Sequence, residues 1–316
     1  MSEQQQQPGW ERDAIERLAR EGLVEQRRSR RWGIFFKLLG FAYLFVLLGL
    51  MVGNQDIDLA EVEPHVALVD LKGLIADEEP ASADNVVKGL RDAFEAEKSV
   101  GVILRVNSPG GSPVQAAYIN REIRRLRKEY PDKHIYAVIT DIGASGGYYA
   151  AVAAERIYAD AGSIVGSIGV RMDGFGFVDA MHKLGIERRL LTAGEHKGML
   201  DPFLPEREDE VAHVRHMLDQ IHQQFINVVK EGRGDRLKDD PSIFSGLFWT
   251  GEEALKLGLV DGLASPGEVA RSEFEQENIV DYTVQEGLLD QLTRKLGSAA
   301  ARTLVREGLL GAPLLH

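Results

Sequence analysis

A serine flanked by small residues is the feature of this sequence that most directly suggests catalysis. Ser145 lies in Asp141-Ile-Gly-Ala-Ser-Gly-Gly-Tyr-Tyr149, between a β-branched run at His134–Thr140 and a helix-forming run at Tyr149–Ala154. A small-residue step from strand to helix is a typical setting for a nucleophilic serine. The N-terminus of the following helix would also favour developing negative charge. The alternative is that Ser145 only caps that helix.

A second glycine-rich loop follows another predicted strand. Gly101–Val106 leads into Asn107-Ser-Pro-Gly-Gly-Ser112 and then into a helix predicted at Pro113–Glu129. Gly110 and Gly111 can turn backbone N–H groups outward, and such donors could hold an oxyanion. The loop could equally be an ordinary βα turn. Because loops of successive βα units share one rim of a parallel sheet, the two loops are expected to lie together.

A serine nucleophile needs a base, and the sequence offers two neighbouring residues for that role. Lys197 and His196 lie in an irregular stretch, Thr192–Phe203. Three other histidines fall on a charged helix predicted at Glu206–Lys230, where a solvated surface is the expected role. A lysine acts as a base only when it is neutral, which requires burial and neighbours that lower its pKa towards about 7–8.

Four motifs in family order resemble signal peptide peptidase A, a family of membrane-anchored bacterial proteases with a Ser–Lys dyad. The motifs are Arg105–Ser112, Ala144–Tyr149, Ala161–Val170, and Lys197 followed by Asp201-Pro-Phe203. The resemblance covers residues 60–285 and the N-terminal anchor. One difference is that Glu195 and His196 precede the lysine, where the family pattern leads us to expect a basic or aromatic pair.

The resemblance assigns a role to each candidate site residue. It implies Ser145 as the nucleophile and Lys197 as the general base. It implies the N–H groups of Gly111 and Gly146 as oxyanion donors. It also implies that Ser167 binds and orients the lysine amine; without the resemblance, Ser167 would be taken for a turn residue bonded to its own backbone. No cofactor and no metal enter this chemistry.

The alternation of predicted strands and helices indicates an α/β architecture. The resemblance refines this fold class to a ClpP/crotonase-like spiral of ββα units, preceded by one N-terminal transmembrane helix. The further predicted elements are strands at Val66–Leu71, Arg156–Ala159, Ile168–Val170 and Arg188–Thr192, a helix at Ala83–Glu97, and a helix, glycine stop and strand within Thr250–Gly262.

Composition excludes several classes of function. The chain has 316 residues, a formal net charge of −12, a pI near 5.2 and no cysteine. The acidic balance argues against nucleic acid as a partner. Without cysteine there is no disulfide and no thiolate metal site. The His213/His216 pair lacks a third ligand at useful spacing, so no metal site is predicted.

The N-terminal region predicts a membrane anchor. Residues 1–31 form a leader that ends in the basic run Arg27-Arg-Ser-Arg-Arg31, and residues 32–53 are apolar apart from Lys37, long enough for one bilayer crossing. An acidic linker at 54–63 follows. The positive-inside rule then places the N-terminus in the cytoplasm and residues 64–284, the predicted protease domain, in the periplasm or outside the cell.

These observations predict a serine endopeptidase of the cell inner (plasma) membrane that degrades cleaved signal peptides and other unstructured apolar peptides. The expected partners are peptide substrates, the membrane and further copies of the chain. Residues 285–316 are broadly amphipathic and are a candidate contact with a neighbouring subunit; the alternatives are a contact with the membrane surface and a loose tail. Two alternatives remain, namely a crotonase-type acyl-CoA enzyme and a catalytically inactive membrane scaffold.

Overall fold

The computed structural model describes residues 20, 27–28, 30–47 and 63–284. The chain divides into two units, Met1–Leu59 and Ala60–His316. In the first unit, residues 30–47 are helical. They cover most of the span predicted at 32–53, whose last residues lie outside the described part, as does the segment predicted at 285–316. Among the described residues, no helix combines the length and apolar character that crossing a membrane requires.

The second unit is built on one sheet that is parallel except at one edge. Its strands within residues 63–284 are β1 (His65–Lys72), β2 (Ser99–Ser108), β3 (Ile135–Ala144), β4 (Arg156–Ala159), β5 (Ile164–Gly166), β6 (Phe248–Thr250), β7 (Gly262–Leu263) and β8 (Ile279–Asp281). The main order is β6-β5-β3-β2-β1-β8, and β4 pairs with β3 and β7. Only the β5–β6 pair of this described sheet is antiparallel.

Strand β3 has two successive partners on the same side of the sheet. Its first half, Tyr136–Ile139, pairs with β4, whereas its last residues, Ile142–Ala144, pair with β5. The strand that leads to Ser145 is therefore held along its whole length, because β2 pairs with its other edge.

Helices cover both faces of the sheet. In the described domain they are α1 (Ala83–Glu95), α2 (Pro113–Glu129), α3 (Gly146–Ala151), α4 (Val178–Lys183), α5 (Glu208–Arg233), α6 (Gly251–Leu257) and α7 (Pro266–Glu273). The main core lies between the sheet and helices α1, α2, α3 and α5. A smaller cluster forms where α7 packs on the opposite face. Residues 101–104 of β2 are all buried, as expected for a strand covered on both faces.

Side-chain caps begin several of these helices. Ser112 caps α2, where its hydroxyl accepts from the N–H of Gln115 and Pro113 follows as the first helical residue. Ser265 and Glu268 form a capping box at the start of α7. The caps fix where the chain turns from loop into helix at the carboxyl end of β2 and on the second face.

The fold confirms an α/β domain with a parallel-rich sheet, which fits a ClpP-like fold. The spiral of ββα units stays a prediction. Two predicted strands are wrong. The strand expected at Ile168–Val170 lies earlier, at Ile164–Gly166, and ends where Gly166 and Ser167 have φ of +110° and +51°. Residues Arg188–Thr192 form no strand, since no ladder partner in the described domain pairs with them.

Candidate active site

Ser145 has a backbone conformation that few serines adopt. It follows β3 directly and precedes α3, with φ 51° and ψ −122°. A non-glycine residue in this region is strained, and such strain is concentrated at functional sites. The Ser145 N–H donates to the Gly166 carbonyl at 2.8 Å. Its side chain makes no capping hydrogen bond, so the interpretation of Ser145 as a helix cap is wrong.

The loop after β2 lies directly against Ser145. Gly110 and Gly111 have φ of +99° and +150°. A Cβ atom added to Gly110 would lie 2.6 Å from the Gly146 nitrogen and 2.7 Å from the Ser145 Cβ. One added to Gly146 would lie 3.3 Å from the Gly111 nitrogen. The absence of side chains lets the two loops approach this closely, so the sequence prediction that they lie together is confirmed.

The Gly111 N–H is turned away from the segment with which Gly111 pairs. Ile75 donates its N–H to the Gly110 carbonyl at 2.9 Å and accepts from the Ser112 N–H at 2.7 Å. In such a bridge the N–H of the residue between the two bonds faces away from the partner, so Gly111 faces away from Ile75. The Gly146 N–H belongs to the first residue of α3 and has no intrahelical acceptor. Both N–H groups are thus available to an oxyanion.

Ser167 lies on the other side of the nucleophile loop. It is half-buried, has φ 51°, and donates its N–H to the Leu247 carbonyl at 2.7 Å. The preceding residue, Gly166, is the one that accepts from Ser145. His222 on α5 donates from Nε2 to the Ile168 carbonyl at 3.1 Å. His222 is therefore half-buried and bonded rather than solvated as predicted, whereas His213 and His216 are exposed.

We refer to residues 73–75, 107–112, 143–149 and 166–168 as the nucleophile corner. The two glycine-rich loops are also joined by side chains, because the Asn107 amide donates to the Asp141 carboxylate at 2.6 Å. The corner contains four of the five predicted site residues: Ser145, Gly146, Gly111 and Ser167. Their catalytic roles stay predictions.

The fifth predicted site residue, Lys197, lies outside the nucleophile corner. Lys197 is exposed, and its N–H donates to the Gly194 carbonyl in a turn at 3.2 Å. Within the described residues its amine makes no hydrogen bond with Ser145 or Ser167. The structure therefore does not join the predicted base to the predicted nucleophile.

Lys197 belongs to a stretch that we call the open segment, residues 171–205, in which no residue is buried. Many of its large apolar side chains are turned to solvent, with Leu191 96% and Phe175 81% exposed. Some internal order comes from Phe177, which stacks on Phe203 with ring centroids 5.4 Å apart. Asp201 adds to this order because its carboxylate accepts hydrogen bonds from the Phe203 N–H and from Arg188. These two bonds, the first more than the second, lower the pKa of the Asp201 carboxyl.

The pair that precedes Lys197 is bound to the start of α5. Glu195 lies 3.6 Å from the guanidinium of Arg207. The Nδ1 atom of His196 lies 3.3 Å from Oε1 of the buried Glu210. The alternative base is thus paired with a carboxylate of its own and, within the described residues, makes no bond to Ser145.

Helix α3 is bonded to a segment that also binds a partly buried ion pair. Tyr148 is fully buried, and its hydroxyl donates to the Leu259 carbonyl at 2.7 Å. Arg233, 1% exposed, donates to the neighbouring Gly258 carbonyl and to both oxygens of Asp261, each at 2.8 Å. Burial by itself would raise the pKa of Asp261, but the hydrogen bond and charge of Arg233, the Ile157 N–H and the charge of Arg236 together outweigh it, so the pKa is lowered. Sequence reasoning missed this support, because its members are distant in the chain.

Comparison with known proteins relates this chain to a family of peptidases. Residues 127–279 match the model of peptidase family S49. A Synechocystis protein named as a protease is 30% identical over 203 residues, which are 63% of this chain and 70% of that protein. An Enterococcus faecium protein named as a signal peptide peptidase, SppA, is 28% identical over 243 residues, covering 74% of this chain and 70% of that protein.

Another relative shows that this sequence also matches part of a much longer protein. A Brucella abortus protein named as an Na⁺/H⁺ antiporter, NhaA, is 42% identical over 209 residues, or 66% of this chain. The match spans only 28% of that protein, so its name carries no activity over to this chain. The family match includes Ser145, Gly146, Ser167 and Lys197, whereas Gly111 and its loop lie before it. The chain belongs to peptidase family S49, the family of signal peptide peptidase A.

Proposed function

We propose that this chain is a serine endopeptidase with a Ser–Lys dyad, in which Ser145 is the nucleophile and Lys197 the general base. One observation carries the proposal: Ser145 is held at positive φ directly beside the available N–H groups of Gly111 and Gly146. Acyl transfer requires this pairing of a nucleophile with oxyanion donors. Family membership supports the same reaction class.

The chemistry follows from these positions. The Ser145 hydroxyl attacks the peptide carbonyl carbon while its proton passes to the neutral amine of Lys197. Negative charge that develops on the carbonyl oxygen is stabilised by the Gly111 and Gly146 N–H groups. The ammonium then gives its proton to the departing amine, which leaves an acyl ester on Ser145. Water, deprotonated by Lys197, hydrolyses that ester and restores the serine.

A lysine base also needs cover from water. No residue of the open segment is buried, so the described residues do not shield Lys197 from water. The exposed apolar side chains of this segment are suited to contact with another protein surface. We therefore propose that the chain works as a homo-oligomer, in which a neighbouring copy covers this segment and completes a groove for an extended peptide. Light scattering in detergent should give a mass of several chains, and a fully active monomer would contradict the proposal.

The proposed substrates are cleaved signal peptides and other unstructured apolar peptides at the membrane surface. The support is the family together with the sequence, in which basic residues precede the apolar stretch at 32–53 and acidic residues follow it. We propose a single-pass anchor with a cytoplasmic N-terminus and an extracytoplasmic protease domain. Protease added to intact spheroplasts should digest residues after 54 and spare the basic leader; protection of the whole domain would contradict this topology.

The decisive experiment uses a fluorophosphonate probe, which forms a bond with an activated serine. The full chain in detergent should be labelled and should cleave a fluorogenic peptide. Ser145→Ala should lose both properties, whereas Ser163→Ala, which removes another buried hydroxyl of the domain, should keep them. Absence of labelling and cleavage in the wild type would favour an inactive scaffold. Turnover of an acyl-CoA without peptide cleavage would favour a crotonase-type enzyme.

A further inference from the structure

We infer that Ser108 is a positioning residue that holds the oxyanion loop in its working conformation, an inference that rests on the proposed function. Ser108 is the last residue of β2 and is completely buried. It touches no substrate position itself. Its side chain instead connects the glycine loop to the segment that follows β1.

The Ser108 hydroxyl makes two hydrogen bonds in opposite senses. It donates to the Gly73 carbonyl at 2.6 Å and accepts from the Gly110 N–H at 3.1 Å. A hydroxyl can donate and accept at once, whereas alanine can do neither. Gly110 immediately precedes the proposed donor Gly111, so the accepted bond fixes the peptide unit next to the one that would face the oxyanion.

The bond to Gly73 extends this support to a second strand. Gly73 donates its N–H to the Asn107 carbonyl at 2.9 Å, and two residues later Ile75 forms the bridge to Gly111. A Cβ atom on Gly111 would lie 2.1 Å from the Ile75 carbonyl oxygen, so the two backbones are in close contact. The Ser108 hydroxyl thus joins the loop to the segment against which Gly111 is pressed.

Ser108 also lies against Gly147, the residue that follows the other proposed oxyanion donor. A Cβ atom added to Gly147 would be 2.8 Å from the Ser108 carbonyl oxygen and 3.2 Å from the Ser108 Cβ. Gly147 follows Gly146 in the first turn of α3. One buried residue therefore packs on the segments that carry both N–H groups, and its backbone and hydroxyl relate the two donors to each other.

Loss of the hydroxyl should affect the transition state more than substrate binding. In Ser108→Ala the Gly73 carbonyl and the Gly110 N–H lose their partner, and the Gly111 N–H loses a fixed direction. Removing an oxyanion donor outright lowers kcat about 10²–10³-fold, so misdirecting one should lower it by about 10–100-fold. KM should stay within about twofold, because ground-state binding does not use the oxyanion contacts.

The test compares full-length Ser108→Ala with Ser99→Ala. Ser99 is a matched control because it is a buried serine on the same strand, and its hydroxyl donates to the Gly101 carbonyl at the far end. The readouts are kcat, KM, inhibition by a peptide aldehyde, and hydrogen–deuterium exchange over residues 107–112. An aldehyde captured by Ser145 presents an oxyanion, so its Ki should rise by the factor by which kcat/KM falls.

The outcomes separate this inference from the proposed function. Faster exchange at 107–112, a lower kcat and a higher aldehyde Ki in Ser108→Ala alone would support the inference. Wild-type exchange in that variant would overturn it even if the enzyme is an active protease. Equal losses of kcat in both serine variants would overturn it as well, since they would indicate general destabilisation. A wild type without peptidase activity would instead refute the proposed function, and with it the catalytic consequence for Ser108.

Discussion

The nucleophile corner and the open segment differ in how much of their geometry this chain supplies. The corner is crossed by hydrogen bonds from four segments, and its glycines leave too little space for added side chains. The open segment carries Lys197 on a surface where no residue is buried. The proposed nucleophile and oxyanion donors are thus organised in advance, while the described residues do not surround the proposed base Lys197. Dyad chemistry would then depend on assembly or on bound peptide, even with Ser145 in place.

The largest effect should come from removing the base. Lys197→Ala should lower kcat at least about 10⁴-fold, as should Ser145→Ala, and the double variant should be no worse than either single one because catalytic units are non-additive. Lys183→Ala changes another exposed lysine of the open segment and should keep wild-type turnover. Steady-state hydrolysis of a fluorogenic peptide measures all four. Near-normal turnover by Lys197→Ala would return attention to His196.

A methyl group placed in the corner should be far more harmful than one placed in the open segment. In Gly111→Ala the new Cβ would lie 2.1 Å from the Ile75 oxygen, so we expect kcat to fall about 10²–10³-fold as the donor moves. Gly174→Ala has open space around it and should have little effect. Circular dichroism should show that both variants are folded. Equal activities would show that the Gly111 N–H is not an oxyanion donor.

The ion pair between Arg233 and Asp261 should make the stability of the domain depend on pH. Asp261→Asn leaves the buried Arg233 without its charge partner and should reduce the free energy of unfolding by about 2–4 kcal/mol near pH 7. Because the pKa of Asp261 is lower in the folded than in the unfolded chain, its stabilisation is complete above about pH 5 and is lost as the pH falls through the folded value. Urea unfolding from pH 7 to pH 3 should therefore show the two proteins converging. A constant difference over that range would contradict this role.

The smallest of these effects is expected at the boundary of the two regions. Ser167→Ala should lower turnover about tenfold, because it removes one hydrogen bond to a charged group. It should also move the acid limb of the pH–rate profile. The reason is that Ser167 is assigned to orienting the amine, whereas bond making stays with Ser145. Comparing full pH–rate profiles of the two enzymes provides the measurement. An unchanged profile with an unchanged rate would leave Ser167 as a turn residue.

Much of the corner could be predicted because its signals are local. Continuous β-branched runs predicted β1, β2 and β3, and glycine pairs after two of them predicted where the loops meet. The strand at Ile168–Val170 was misplaced because apolar residues continue on both sides of the positive-φ step at Gly166 and Ser167. The role of Ser108 was not predictable from its neighbours, since its hydroxyl partner Gly73 is 35 residues away. For Lys197 the sequence predicts a candidate base, but it does not predict which surface would shield the amine from water.

The backbone conformation of Ser145 also limits which nucleophiles evolution or an engineer could exchange for it. Threonine carries the same hydroxyl, but a β-branched residue at positive φ is a severe outlier, so a threonine nucleophile is closed to this scaffold. Cysteine has no such branch and would fit the same elbow. Since the natural sequence contains no cysteine, Ser145→Cys would carry a single thiol in the whole chain. That thiol would lie beside the two proposed oxyanion donors, so a peptide-linked electrophile could be attached there and the path of a bound peptide traced by cross-linking.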